Sequence, residues 1–168
     1  KRLKVNVIRP DINDCFPDFR TTKNIILYGL GAIKNVGSEA ISNLIKEREK
    51  NGRFRSLMDF IRRVDPKDIN KLQLEGLVKS GAFDKLENNR KGIFETNPKL
   101  IQLNKIYHEE KISKQSNLFD NGDTSKIENK RKGIFETITK LIQLNKIDHE
   151  EKISKQSNLF DNGDTSKI

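Results

Sequence analysis

The chain has no Trp, one Cys, one Met, two His and two Tyr in 168 residues, and each scarcity removes a class of protein. A lone cysteine cannot close an internal disulfide. Cys15 therefore reads as a small packing or surface residue, with no paired His or basic helix start beside it to make it reactive. His108 and His149 both sit in HEEKI contexts, which lack the HExxH spacing of a helical zinc site, and read as surface residues. No apolar run approaches the ~20 residues a membrane-spanning helix needs, and no signal peptide is visible. Mean hydropathy is −0.74, with 33% hydrophobic and 34% charged residues. That composition predicts a soluble, cytoplasmic chain with a modest core and no membrane contact. A start at Lys1 rather than Met reads as a piece of something larger.

What the chain does have is YGLGAIKNVGSEAISNLIKERE, residues 28–49. Gly29, Gly31 and Gly37 tolerate positive φ and Asn35 is the next most tolerant residue, so the chain can fold back sharply before a helix. Ser38 suits the N-cap, and the helix runs to about Lys50 with Val36, Ala40, Ile41, Leu44 and Ile45 on its inner face and Asn51-Gly52 as its stop. Free amides and the positive end of the dipole then lie beside Lys34, a geometry suited to phosphate. Two nucleotide motifs fail on spacing. A dinucleotide fingerprint from Gly29 needs glycine where Lys34 stands, and a Walker A loop ending at Gly37 needs lysine where Ser38 stands. The arrangement resembles a helix-hairpin-helix, a module that holds nucleic-acid backbone without reading sequence.

Charge favours that reading over an empty tight turn. Of a net +9, residues 1–86 carry 18 Lys and Arg against 11 Asp and Glu, whereas 87–168 carry 15 against 13. Lys34, Lys46, Arg53, Arg55, Arg62 and Arg63 fall on or just after the hairpin, as a phosphate-contacting surface requires. A Lys-, Asn- and Ile-rich compositional bias would act on both halves alike.

The flanking segments read as mainly α with a small β ribbon. Residues 3–8 and 25–28 are β-prone and can pair. Ser56 caps a short helix burying Leu57, Phe60, Ile61 and Val64. Asn70 and Gln73 form a capping box with Ile69 and Leu74 as a staple, Leu74, Leu77 and Val78 face inward, and Gly81 supplies a left-handed C-cap. Residues 70–90 read as a second, degenerate helical hairpin, and this 86-residue unit leans on a neighbour to complete its core.

IRPDIND, YGLGAIKNVG, SLMDFIRRVD and INKLQLEGLVKSGAFDKL, in this order and spacing, resemble the bacterial DNA polymerase III alpha subunit over residues 1 to about 120. The resemblance implies residues 1–28 at the end of the fingers and 29–86 as the helix-hairpin-helix region, while 87–127 and 128–168 read as two copies of a helical, flexible tail. It also implies contact with primer-template duplex through Lys34, Asn35, Val36, Gly37 and Ser38, and association with the rest of the polymerase; the charge distribution adds Arg53 and Arg55 as further DNA contacts. The common hairpin carries glycine where this chain has Asn35. The family's Mg-binding palm aspartates would precede Lys1, so the chain alone is expected to be inactive and to hold no cofactor. Asp11, Asp14 and Asp18 crowd one loop and read as a solvated turn rather than a metal site.

Residues 87–127 recur at 128–168, differing only at Asn89/Lys130, Asn97/Ile138, Pro98/Thr139 and Tyr107/Asp148. Two copies are too few for a solenoid. Each copy reads as a polar helix with an unstructured end; Ile134, Ile138, Leu141 and Ile142 line one face of the second, while Pro98 should bend or restart the first. Both copies end in QSNLF, which resembles the sliding-clamp motif of replication proteins. Gln115, Leu118 and Phe119, and Gln156, Leu159 and Phe160, are then the clamp-binding residues, an extended peptide sinking its two apolar anchors into a pocket. Two other readings stay open: a freestanding helical DNA-binding adaptor, and a decayed polymerase fragment without activity.

Overall fold

The computed structural model describes residues 4–116 and 125–161, except the side chains of 116, 149 and 157–161. The two β-prone runs pair as expected: β1 (Asn6–Ile8) lies parallel to β3 (Ile25–Leu27), with Asn6 opposite Ile25. A third strand, β2 (Arg20–Thr22), returns antiparallel onto β3 and completes the order β1-β3-β2. It escapes sequence reading because all three of its residues are polar and exposed. Lys23, at φ 51, makes the turn that brings it back.

A 3-10 turn at Leu30–Ala32 leads to α1 (Ser38–Asn51), whose Ala40, Ile41, Leu44 and Ile45 are all buried and which Gly52 ends at φ 82. α2 (Leu57–Arg63) starts where the Ser56 hydroxyl accepts the Asp59 amide at 3.0 Å. α3 (Lys71–Ser80) opens on the expected capping box, with Asn70 and Gln73 exchanging side-chain bonds to backbone amides at 2.9 and 2.8 Å. Gly81 closes α3 at φ 83, ψ 15, left-handed as the sequence predicts. Phe54, Phe60 and Phe83 meet edge-on through the centre, with centroids 5.0 and 4.9 Å apart.

The repeats supply α4 (Arg90–Ser116) and α5 (Ser125–Asp161). Ile93, Leu100 and Leu103 of α4 enter the same core as α1 to α3. Pro98 does not restart the helix, which is continuous from Arg90 to Ser116. The proline is exposed, while buried Asn97 donates to the Lys71 carbonyl at 3.0 Å and Leu100 packs inward, so tertiary contacts hold the helix across its missing hydrogen bond.

α5 runs antiparallel to α4, with Arg131 on Glu110 at 2.8 Å and Lys146 on Glu87 at 2.9 Å. Ile138 is fully buried, and Ile134 and Ile142 pack partly buried against the core. Leu144 and Ile147 are exposed although their first-copy counterparts, Leu103 and Ile106, are buried. The backbone at 156–161 is helical where an unstructured end was expected, since no Gly or Pro interrupts 152–161. No described helix is long and apolar enough to cross a membrane.

Candidate nucleic-acid interface

At the hairpin the left-handed residue is Asn35, at φ 67. Gly29 instead has φ −77, and it is needed for close approach: a Cβ there would stand 2.8 Å from the Phe19 backbone nitrogen. Val36 donates its amide to the Ile33 carbonyl at 3.0 Å and buries its side chain, 6% exposed. The turn consumes that amide, so Val36 leaves the set of phosphate contacts. Ser38 is likewise not the cap. Gly37, at φ −80, ψ 138, caps α1 with its carbonyl accepting the Ile41 amide at 3.1 Å, because Val36 is pinned inward and helical geometry begins only after it.

No side chain caps α1. Asn35, Gly37 and Ser38 are exposed, and no described hydrogen bond engages their amides. Lys34 beside them is exposed and enters no ion pair among the described residues. A helix start of this kind presents unsatisfied donors and positive potential to an anion. α3 backs the hairpin at Gly76, where a Cβ would lie 2.7 Å from the Lys34 carbonyl oxygen and 3.0 Å from Val36 Cγ2. Sequence reading passed over Gly76, although a glycine inside an amphipathic helix signals a close approach.

The other cations divide. Arg55 is exposed, and its side chain enters no described ion pair; Arg53 is exposed but bridged to Asp14 at 2.7 Å. Arg62 pairs with Asp59 at 3.2 Å. Arg63 belongs to the frame: it meets Glu47 at 3.0 Å and Asp59 at 3.1 Å, donates to the Gly52 carbonyl at 2.7 Å, and lies over the Phe54 ring at 4.6 Å. Its side chain is only 13% exposed. Arg48, unremarked in the sequence, is buried on α1 and donates to the carbonyls of Ile12 and Cys15 at 2.8 and 3.0 Å, tying the 11–16 loop to the hairpin helix. Burial lowers the Arg48 pKa and raises that of the Cys15 thiol.

The acidic loop is not simply solvated. Asp11 is 5% exposed, accepts the amides of Asn13 and Asp14 at 2.7 and 3.1 Å, and pairs with Lys85 at 3.1 Å. Asp14 pairs with both Lys85 and Arg53 at 2.7 Å. With Asp11 and Asp14 committed to cations and turn amides and Asp18 exposed, the loop does not gather free carboxylates around a common point as Mg requires. The His108 side chain is half-buried rather than on the open surface. Of the clamp-motif residues, Gln115 and Gln156 are exposed; Leu118 and Phe119 lie outside the described residues, as do the side chains of Leu159 and Phe160.

Residues 4–93, which hold the hairpin, Gly76 and the helices around them, match the helix-hairpin-helix motif family. The chain is 48% identical over 122 residues to the DNA polymerase III subunit alpha of Borreliella burgdorferi, covering 71% of this chain and 10% of that protein. It is 38% identical over 119 residues to the subunit of Caulobacter vibrioides and 36% over 123 residues to that of Campylobacter jejuni, again covering 71% of this chain and 10% of each relative. The chain thus spans about a tenth of the length of the curated relatives it matches. With the uncapped helix start and its hairpin inside the matched span, the chain belongs to the helix-hairpin-helix family and is similar to a segment of bacterial DNA polymerase III alpha subunits.

Proposed function

We propose that this chain holds the sugar-phosphate backbone of duplex DNA at the start of α1, in support of replication by a polymerase III alpha subunit. The observation that carries the reading is the exposed helix start at Gly37 and Ser38, with no side-chain cap and with Lys34 beside it in no ion pair among the described residues. Lys34, the amides of Asn35, Gly37 and Ser38, and the side chain of Arg55 are the contacts, with Arg53 joining when its bridge to Asp14 opens. Contacts of this kind position a duplex and carry no sequence information. Catalysis belongs to the intact polymerase, whose remainder is the chain's partner.

The QSNLF strings serve as clamp-binding peptides in the same proposal. The first begins at the last two residues of α4 and the second lies at the end of α5, so two strings on one chain would raise rebinding to a clamp through effective concentration once the helix end unwinds to an extended peptide.

A labelled duplex titrated into the full chain across a salt series tests the first part. Lys34→Glu with Gly37→Pro should weaken binding in every sequence context and flatten the salt dependence, and proline suits the φ of −80 at Gly37. An unchanged slope would remove phosphate contact from the hairpin. For the second part, a 112–123 peptide and its Phe119→Ala form are titrated against the sliding clamp; equal, weak binding by both ends that idea.

A further inference from the structure

Between α1, α2 and the C-terminal half of α4 runs a groove of about 440 Å³ that includes Lys46, Lys50 and Lys111 in its lining. A second depression of about 560 Å³, lined by Arg55 and Arg62, shares Glu47, Arg63 and Lys111 with it. The floor carboxylates are already engaged, Glu47 by Arg63 and Asp59 by Arg62 and Arg63. At the other end, Asp65 accepts the Lys67 amide and Asp68 the side-chain amide of Asn43. Lys46, Lys50, Arg55 and Lys111 are exposed, and among the described residues none of their side chains enters an ion pair.

We infer that this groove is a second phosphate track, and that Lys111 makes the first repeat copy part of the nucleic-acid surface rather than a spacer to the clamp motif. The inference rests on duplex binding by the hairpin. Lys46 and Lys50 stand one helical turn apart on α1, eight and twelve residues from Ser38, or about 12–18 Å along the axis. That is the scale of a DNA groove, about 12 Å across for the major one, so a backbone held at the hairpin leaves the opposite strand or the next turn within reach. The lining favours a polyanion over a peptide. Leu44 and Val64 are each 3% exposed and belong to the core, which leaves Ile112 as the exposed apolar side chain of the groove, whereas peptide recognition relies on several buried anchors. The second copy cannot substitute: Lys152, the counterpart of Lys111, lines a different cavity with Asn88 and Lys91.

The test uses the full chain and a labelled random-sequence duplex in a salt series. Lys46→Gln, Lys50→Gln and Lys111→Gln together should flatten the log-affinity against log-salt slope by about 2–3, at about 0.9 per lost contact, with helix content unchanged. Lys111→Arg should retain the wild-type slope. Lys126→Gln, Lys130→Gln and Lys140→Gln together, an exposed change of equal charge on α5, should leave it nearly unaltered; an equal flattening there would mean bulk charge alone and overturn the inference. If the hairpin variant loses binding while the triple variant keeps the wild-type slope, the groove is excluded and the hairpin stands. If neither variant changes binding, both fall. Poly-glutamate binding that depends on Lys111 while duplex binding does not would also overturn the phosphate track.

Discussion

Gly76 of α3 lies against the backbone of Lys34, so close that a Cβ would stand 2.7 Å from the Lys34 carbonyl oxygen. The hairpin is thereby seated on a neighbouring helix as well as folded on itself, and its position depends on the absence of one side chain.

Gly76→Val therefore has to move the hairpin or α3. Overpacking of this kind costs about 1–3 kcal/mol, read as a lower urea midpoint. Duplex affinity should fall further than a distant substitution of equal stability cost would lower it, because the amides near Asn35 are displaced.

Arg63→Lys separates framework from interface. Lysine retains the charge but loses the fork that spans Glu47, Asp59 and the Gly52 carbonyl. A stability loss of about 1–3 kcal/mol is expected in denaturant titration. The salt slope of duplex binding should not change, since this guanidinium faces protein.

The repeat permits a comparison at two identical residues. Asn104, 1% exposed, donates to the carbonyls of Ile61 and Val64, both at 2.7 Å, and so satisfies the end of α2. Asn104→Ala should cost about 1–3 kcal/mol by leaving those carbonyls unpaired. The side chain of its counterpart Asn145 donates to exposed Glu95, and Asn145→Ala should stay within about 0.5 kcal/mol by the same thermal or chemical melt.

Acid stability should report the Asp14 pair. The hydrogen bond from Lys85 is the leading cause holding the Asp14 carboxyl below its usual value of 3.8. A carboxyl whose folded pKa is depressed contributes stability above its unfolded pKa and loses it as pH falls through the folded one. Lys85→Gln should therefore lower the denaturation midpoint at pH 7, and the gap from wild type should narrow below about pH 4 as Asp14 protonates. A gap that stays constant across that range would show that this pair does not govern the acid limb.

Much of the local structure was legible in the sequence. The Asn70–Gln73 box, the Gly81 cap and the inner face of α1 follow from spacing and side-chain chemistry acting within a few residues. The hairpin was legible in outline only. Its location and its left-handed Asn35 follow from local preference, but the capping of α1 by Gly37 and the loss of the Val36 amide arise because the core claims the Val36 side chain. β2 was illegible because its pairing lies in the backbone of polar residues. Arg48, Arg63 and Asp11 look like ordinary surface charges until the fold brings carbonyls, carboxylates and Lys85 around them.

The duplication divides what each level decides. The order of letters alone determined that both copies are helical, because periodic Ile and Leu among good helix formers specify a helix wherever they occur. It could not decide what each helix does. Leu103 and Leu144 occupy equivalent places in the two copies, yet one is sealed in the core and the other faces water. Burial is a property of position relative to other elements, and only one copy can occupy the single seat against α2 and α3.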